Sequence, residues 1–132
     1  MPSLVGSEMC IRDRNLPVRL LGGREDVPVL LQEADIVIQT SLWEGQPLIV
    51  QEAMRAGAAV VATDVGGTAL TARGGATLVE PTPDAIADAV AALMADDSLR
   101  AAARERARAA AADLPTAGDL LDQLIGQVLG EG

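Results

Sequence analysis

Short apolar runs separated by helical segments are the feature that most constrains the fold of this chain. The runs are mostly continuous rather than alternating, and valine, isoleucine, leucine and alanine dominate them. A strand that is apolar on both sides has to be covered on both sides, as in a parallel sheet flanked by helices. We therefore predict an α/β fold with a partial Rossmann-like, doubly wound parallel sheet of about four strands. These strands are Val18–Leu21, Asp35–Gln39, Ala58–Thr63 and Ala76–Val79.

Proline, glycine, aspartate and threonine mark the predicted helix ends. Asp26 is the predicted N-cap of a short helix, and Gly57 ends a helix that begins at Pro47. Thr116 and Asp119 have the three-residue spacing of a capping box, with aspartate in the position that glutamate usually takes. The predicted helices are Asp26–Ala34, Pro47–Ala56, Pro83–Ala95 and Ser98–Leu114, followed by an amphipathic helix after Pro115.

Two of these helices carry an apolar stripe at helical spacing. The stripe in Pro83–Ala95 consists of Ile86, Val90, Leu93 and Met94. The stripe of the last helix consists of Leu120, Leu121, Leu124, Ile125 and Val128. The helix Ser98–Leu114 is instead rich in alanine and arginine, which favour helix. We expect its arginines to form a solvated face: Arg100, Arg104, Arg106 and Arg108.

Residue usage excludes several kinds of site. The net charge of −9 argues against a nucleic-acid partner, which needs clustered cations. All ten basic residues are arginines, so the lysine of a phosphate-binding P-loop is lacking. The chain has no histidine and one cysteine, which excludes a histidine base, a disulfide within the chain and a histidine or cysteine metal site. No apolar run approaches the roughly 20 residues of a membrane span, so we predict a cytoplasmic protein without an integral membrane segment.

The length is enough for one domain. We divide the 132 residues into a non-native leader (residues 1–14), an α/β domain (residues 15–114) and a C-terminal helix and tail (residues 115–132). Met1–Arg14 has neither strand alternation nor helical periodicity, and a genuine surface leader is the alternative. Either interpretation leaves Cys10 without a function.

The segment Thr40–Thr68 carries the chemistry. The strand before it ends at the carboxyl edge of the sheet, where ligands bind in open α/β folds. The next helix begins near Pro47, and its unpaired N–H groups and positive dipole end suit a phosphate. Glu44 lies in the loop, and Glu52 lies about 8 Å along the helix axis from Pro47. Two carboxylates, which accept hydrogen bonds from sugar hydroxyls, could thus flank one polar ligand.

This segment, EGQPLIVQEAMRAGAAVVATDVGG, resembles the E-x7-E signature of the retaining glycosyltransferases of family 4 (glycosyl transferases group 1), which have the GT-B fold. The preceding LLGGREDVPVLLQEADIVIQTSLW is similar to that family's approach to the motif, and the resemblance covers roughly residues 16–129. It implies that residues 15–114 are a truncated C-terminal nucleotide-sugar-binding domain of the GT-B fold. The enzyme it comes from would transfer a sugar from a nucleotide-diphosphate sugar, the donor, to an acceptor with retention of configuration. It also implies that no metal and no organic cofactor take part.

The resemblance implies roles for single residues. Glu44 is the implied catalytic residue at the hydroxyls of the donor sugar, and Glu52 is the implied ligand of the nucleotide ribose. The turn Gly22–Glu25 lies where the family places contacts to the base. The other implied donor contacts are Gly45, Gln46 and Pro47 at the sugar, Leu48 and Ile49 at the diphosphate, and Gly66 and Gly67 in the next loop.

Each role has a plain structural alternative. Glu44 could simply complement the helix dipole, and Glu52 could be an ordinary solvent-facing helix residue. Gly66-Gly67 could be only a turn, and Asp64 is better explained as a loop cap than as a base. Trp43 could either fill the core or line the site.

The family's leaving-group arginine and lysine precede the strand that Val18–Leu21 resembles, and Met1–Arg14 does not match them. We therefore expect the chain alone to be catalytically inert. Strands 1 and 2 of the Rossmann-like order are also lacking, which leaves open sheet edges, so we expect marginal stability. The partner in the parent enzyme is the N-terminal acceptor domain. Peripheral membrane association of that parent is compatible with the sequence. The alternative functions are a non-catalytic nucleotide-sugar-binding module, a nucleotide-sugar epimerase and a flavodoxin-like signalling domain.

Overall fold

The computed structural model describes residues 15–130, so the predicted leader Met1–Arg14 lies outside the described residues. Within that range the chain forms three strands and six helices. In chain order these are α1 (Val27–Glu33), β1 (Ile36–Gln39), α2 (Leu48–Arg55), β2 (Ala59–Thr63), α3 (Thr68–Ala72), β3 (Thr77–Val79), α4 (Pro83–Ala95), α5 (Asp97–Ala112) and α6 (Ala117–Val128).

The sheet is parallel, with strand order β1-β2-β3. Ile36 is in register with Ala59, and Thr63 with Val79. All three strands therefore run the same way, and the loops that follow them leave from one edge of the sheet. The α/β fold with a parallel sheet and flanking helices is confirmed.

The core lies on both faces of β2, whose five residues are all buried. On one face Val60 and Ala62 belong to a cluster with residues of α1, α2 and α5, among them the fully buried Met54. On the other face Ala59 and Val61 pack with Leu93 of α4 and Ala103 of α5. A strand covered on both sides explains why its sequence is a continuous apolar run.

Alanines let α5 approach the rest of the domain closely. Ala103, Ala107 and Ala110 are its buried residues. Gly75 makes room for this approach, because a Cβ there would lie 2.6 Å from both the Cβ of Ala110 and the Sδ of Met54. Small side chains, rather than large apolar ones, thus form this helix contact.

The arginines of α5 are not a uniformly solvated face, contrary to the expectation. Arg104 donates its Nε–H to the carbonyl of Gly57 at 2.9 Å, and Arg100 donates to the carbonyl of Leu93 at 3.0 Å. Both are only partly exposed, whereas Arg106 and Arg108 are exposed. The reason is that Gly57 and Leu93 end or nearly end their helices, where carbonyls lack helical partners and accept from nearby cations.

The predicted strand Val18–Leu21 is wrong. These residues form no strand, and the apolar side chains Val18, Leu20 and Leu21 are exposed. A strand needs a neighbour to satisfy its backbone groups, and within residues 15–130 the sheet ends at β1. The sheet accordingly has three described strands instead of about four.

Asp26 occupies the N-cap position of α1, as predicted. Its carboxylate makes no capping bond and instead pairs with Arg24 at 2.6 Å. Met94, predicted to be part of the apolar stripe of α4, is exposed, whereas Val90 and Leu93 of that stripe pack in the cluster on β2. The short helix α3 was not predicted at all.

The capping box at the start of α6 is confirmed. The hydroxyl oxygen of Thr116 accepts a hydrogen bond from the amide of Asp119 at 3.1 Å, and the carboxylate of Asp119 accepts one from the amide of Thr116 at 2.8 Å. The predicted apolar stripe of this helix is exposed along its length. Within residues 15–130, none of the helices has the length and apolar character that a membrane crossing requires.

Candidate functional site

Two loops meet at the carboxyl edge of the sheet, one after β1 and one after β2. The amide of Gly67 donates to the carbonyl oxygen of Glu44 at 2.7 Å. Gly66 has a φ of +53°, and a Cβ there would lie 1.8 Å from the same carbonyl oxygen. A Cβ on Gly67 would lie 1.9 Å from the carbonyl oxygen of Gly45. Both glycines are therefore needed for the two backbones to touch, beyond making a turn.

The carboxylate of Glu44 is held by the end of β1. Its Oε1 accepts from the Nε2 of Gln39 at 2.7 Å and from the hydroxyl of Ser41 at 2.5 Å. The hydroxyl of Thr63, at the end of β2, donates to the carbonyl of Ser41 at 2.6 Å. These three residues were not predicted as part of the site. A polar residue at the end of an apolar run is a signal that could have found Gln39 and Thr63, whereas Ser41 lies in the loop and has no such signal.

The start of α2 lies directly after this loop. Pro47 is its N-cap residue, and the first helical bond runs from the amide of Gln51 to the carbonyl of Pro47 at 3.4 Å. No described side chain accepts a hydrogen bond at this cap, and the first turn contains no acidic residue. The amides of Leu48 and Ile49 thus have no helical partner, and Leu48 is exposed. Chemically, this end of the helix can accept an anionic group.

Glu52 lies one turn further along α2 and is exposed. It forms part of the wall of a cavity of about 460 Å³ between α1 and α2. The α1 side of this cavity is mainly apolar, and Arg55 lies on the α2 side. The full lining is Val27, Pro28, Leu31, Gln32, Glu52, Arg55 and Ala56.

A second cavity, of about 300 Å³, opens beside the Glu44 loop. It takes its walls from that loop, from α2 and α3, and from the turn before α6. Gln51 lines this cavity and Glu52 lines the first, so the two cavities lie on different sides of α2. The lining is Gly45, Gln46, Gln51, Gly67, Leu70, Thr71, Arg73, Leu114 and Pro115.

The predicted site residues fall into two groups. Glu44, Gly45, Gly66 and Gly67 lie together where the loops meet, whereas Glu52 belongs to the cavity beside α1. Glu44 lines neither cavity. Pro47, Leu48 and Ile49 connect the two groups as the first residues of α2.

Three further residues bear on the predictions. Trp43 is 73% exposed, so it does not fill the core. Asp64 is exposed, and its amide donates to the carbonyl of Val79 at 2.8 Å, which fixes the loop after β2. In the turn before α1, the side-chain bond from Arg24 lowers the pKa of Asp26 from its ordinary value.

The chain matches the protein-family model described as glycosyl transferases group 1 over residues 11–110. The UDP-Gal:alpha-D-GlcNAc-diphosphoundecaprenol alpha-1,3-galactosyltransferase of Escherichia coli is 40% identical over 57 residues, which cover 42% of this chain and 15% of that protein.

Two solved structures are also similar over most of the chain. Sucrose-phosphate synthase from Thermosynechococcus elongatus is 25% identical with a TM-score of 0.80, covering 95% of this chain and 34% of that one. The Anabaena protein HepE, solved in complex with UDP, is 26% identical with a TM-score of 0.85, covering 98% of this chain and 37% of that one. The chain therefore spans 15% to 37% of the length of these relatives.

Proposed function

From the fact that the chain belongs to the glycosyl transferases group 1 family, we propose that it holds the nucleotide-sugar donor of a GT-B enzyme. The parent enzyme transfers a sugar from a nucleotide-diphosphate sugar to an acceptor, with retention of configuration as in family 4. The acceptor is held by an N-terminal domain of that parent. The UDP complex of the similar Anabaena protein supports a nucleotide as part of the ligand.

The observation that carries the proposal is the uncapped start of α2 between two carboxylate-bearing segments. The diphosphate binds at the amides of Leu48 and Ile49, where the helix dipole favours negative charge. Glu52 lies four residues after Leu48, about 6 Å along the helix axis, which is within the length of a nucleoside diphosphate. The ribose hydroxyls donate to its carboxylate, and the base enters the cavity beside α1.

The donor sugar lies on the other side of the diphosphate, at the loop after β1. Glu44 accepts hydrogen bonds from its hydroxyls, and the backbones of Gly45, Gln46 and Pro47 line it. Gly66 and Gly67 act through the loop contact that places this backbone. A carboxylate suits this role because sugar hydroxyls are donors that need a strong acceptor.

We further propose that this chain binds its donor without turning it over, and without a metal or cofactor. The departing diphosphate needs positive charge, and removal of one stabilising group from such a site costs about 3 kcal/mol. The sequence contains no lysine. Release of free UDP from UDP-galactose by this chain would contradict the proposal.

The experiment is a titration of the chain with UDP, GDP and ADP, with Trp43 as the fluorescent reporter. Trp43 is the sole aromatic residue of the sequence and stands beside Gly45, so its signal is unambiguous. We expect one of the three nucleotides to bind. Glu52→Ala should weaken that binding about 10-fold or more, because a hydrogen bond to a charged group is lost.

The matched control is Glu33→Ala, which removes an exposed helical glutamate outside both cavities. It should bind like the unaltered chain. An affinity that Glu52→Ala leaves unchanged removes the ribose role, and a chain that binds none of the three nucleotides removes the proposed function.

A further inference from the structure

We propose that Gln39 and Ser41 are positioning residues for Glu44. They fix one oxygen of its carboxylate so that the other oxygen is left for the donor sugar. The inference rests on the proposed function and deepens it, because it says what gives the sugar end of the site its shape.

The hydrogen-bond donors converge on a single atom. The Oε1 of Glu44 accepts from the Nε2 of Gln39 at 2.7 Å and from the Oγ of Ser41 at 2.5 Å. The Nε2 of Gln39 also lies 2.7 Å from the Oγ of Ser41. The amide has two hydrogens and the hydroxyl has one, so all three bonds can form together. Within residues 15–130, no group donates to the Oε2 of Glu44.

A buried strand end anchors this arrangement. Gln39 is the last residue of β1 and is 7% exposed. Its Oε1 lies 3.4 Å from the hydroxyl of Thr63, which donates to the carbonyl of Ser41 at 2.6 Å. The loop backbone and the carboxylate are therefore tied to the ends of two paired strands.

This tie has an energetic consequence for ligand binding. A glutamate in a loop loses side-chain entropy when it is ordered against a ligand. Here the protein has already ordered Glu44, so a sugar hydroxyl meets a fixed acceptor at Oε2. Removing either donor should weaken the contribution of the sugar and leave the contribution of the nucleotide intact.

The test measures, on the full 132-residue chain, how much more tightly a sugar nucleotide binds than its nucleotide alone. Three pairs are compared: UDP-galactose with UDP, UDP-glucose with UDP, and GDP-mannose with GDP. The variants are Gln39→Met, which keeps the length of the side chain without its amide, and Ser41→Ala. Ser41→Thr is the conservative variant that keeps the hydroxyl, and Gln123→Met removes an exposed amide on α6 as the control.

One pair should show tighter binding of the sugar nucleotide than of the nucleotide by the unaltered chain. For that pair we expect Gln39→Met and Ser41→Ala each to lower the ratio of the two affinities by about 3- to 10-fold. The affinity for the nucleotide alone should stay constant. Ser41→Thr should restore most of the preference, and Gln123→Met should have no effect. A purely structural role would lower both affinities together and leave their ratio unchanged.

Three outcomes overturn the inference: an unchanged ratio in both variants, an equal loss for both ligands, or no preference for a sugar nucleotide in the unaltered chain. If Gln39→Met loses its helical circular dichroism, Ser41→Ala decides alone, because Ser41 is only partly buried. A chain that binds neither nucleotides nor sugar nucleotides instead refutes the proposed function.

Discussion

The amide of Gly67 lies 2.7 Å from the carbonyl oxygen of Glu44 and donates a hydrogen bond to it. This bond joins the loop after β2 to the loop after β1. The position of Glu44 therefore depends on a residue 23 positions later in the chain, which never has to touch the ligand itself.

Gly67→Ala should displace the Glu44 loop. The new Cβ would lie 1.9 Å from the carbonyl oxygen of Gly45, which is backbone and cannot rotate away. We expect a loss of about 1–3 kcal/mol in the free energy of unfolding, as in other overpacked sites, together with loss of the sugar-nucleotide preference. Urea denaturation and the paired titrations measure the two effects.

Gly23→Ala is the matched control for this substitution. A Cβ at Gly23 meets no atom within 4 Å. We expect a change in stability within about 0.5 kcal/mol. Equal losses for Gly67→Ala and Gly23→Ala would show that the loop contact does not constrain the site.

The stability of the domain should depend on α4 and much less on the apolar face of α6. Leu93 is 3% exposed and packs on β2, whereas Leu124 is 56% exposed. We expect Leu93→Ala to cost about 2–5 kcal/mol and Leu124→Ala less than about 0.5 kcal/mol. The measurement is urea denaturation of both variants. A comparable cost for Leu124→Ala would mean that the face of α6 is covered in solution.

Acid should weaken the start of α6. The bonds that Asp119 accepts from the backbone and side chain of Thr116 lower its pKa below the ordinary value of 3.8. A carboxyl group whose pKa is lower in the folded chain than in the unfolded chain stabilises the folded state at pH values above the unfolded pKa. This stabilisation is lost as the pH falls through the lowered pKa of the folded chain. We therefore expect the helical signal of α6 to be constant above pH 5 and to fall below about pH 4.

Asp119→Asn is the control for the acid effect. Its side chain has no charge to titrate, so the same segment should show a smaller signal that does not change over this range. Backbone amide chemical shifts of Thr116–Asp119 report the effect apart from the other carboxylates. An identical acid response in the Asn variant would contradict this role of Asp119.

Metal removal should leave nucleotide binding unchanged. The proposed diphosphate contacts are the amides of Leu48 and Ile49, and these need no bridging cation. Titrations of UDP in EDTA and in Mg²⁺ should give affinities equal within about twofold, which is under about 0.5 kcal/mol. An affinity that rises tenfold with Mg²⁺ would show that a cation takes part.

Local patterns predicted most of the secondary structure to within a residue or two. The run Ala58–Thr63 is apolar throughout because β2 is covered on both faces, and Gly57 ends α2 with a φ of +77°. Val18–Leu21 shows the limit of this reasoning. An apolar run indicates a strand only if a partner strand is present, and strand pairing is a property of the whole fold.

The candidate site could be predicted from the sequence only in part. Glu44 and Glu52 were selected because their segment resembles the E-x7-E signature, and their roles stay predictions. The network of Gln39, Ser41 and Thr63 depends on the parallel register of β1 and β2, in which Gln39 pairs with Ala62 and so lies near Thr63. Spacing along the chain does not contain that register.

The central claim is that the donor lies across the start of α2, with its sugar at Glu44 and its ribose at Glu52. An ¹⁵N-labelled chain titrated with UDP-galactose and then with UDP tests it most directly. We expect both ligands to shift the amides of Leu48, Ile49 and Glu52, and only UDP-galactose to shift the amides of Glu44 and Gly45. Shifts confined to α5 and α6, or identical shifts at Glu44 for both ligands, would contradict the claim.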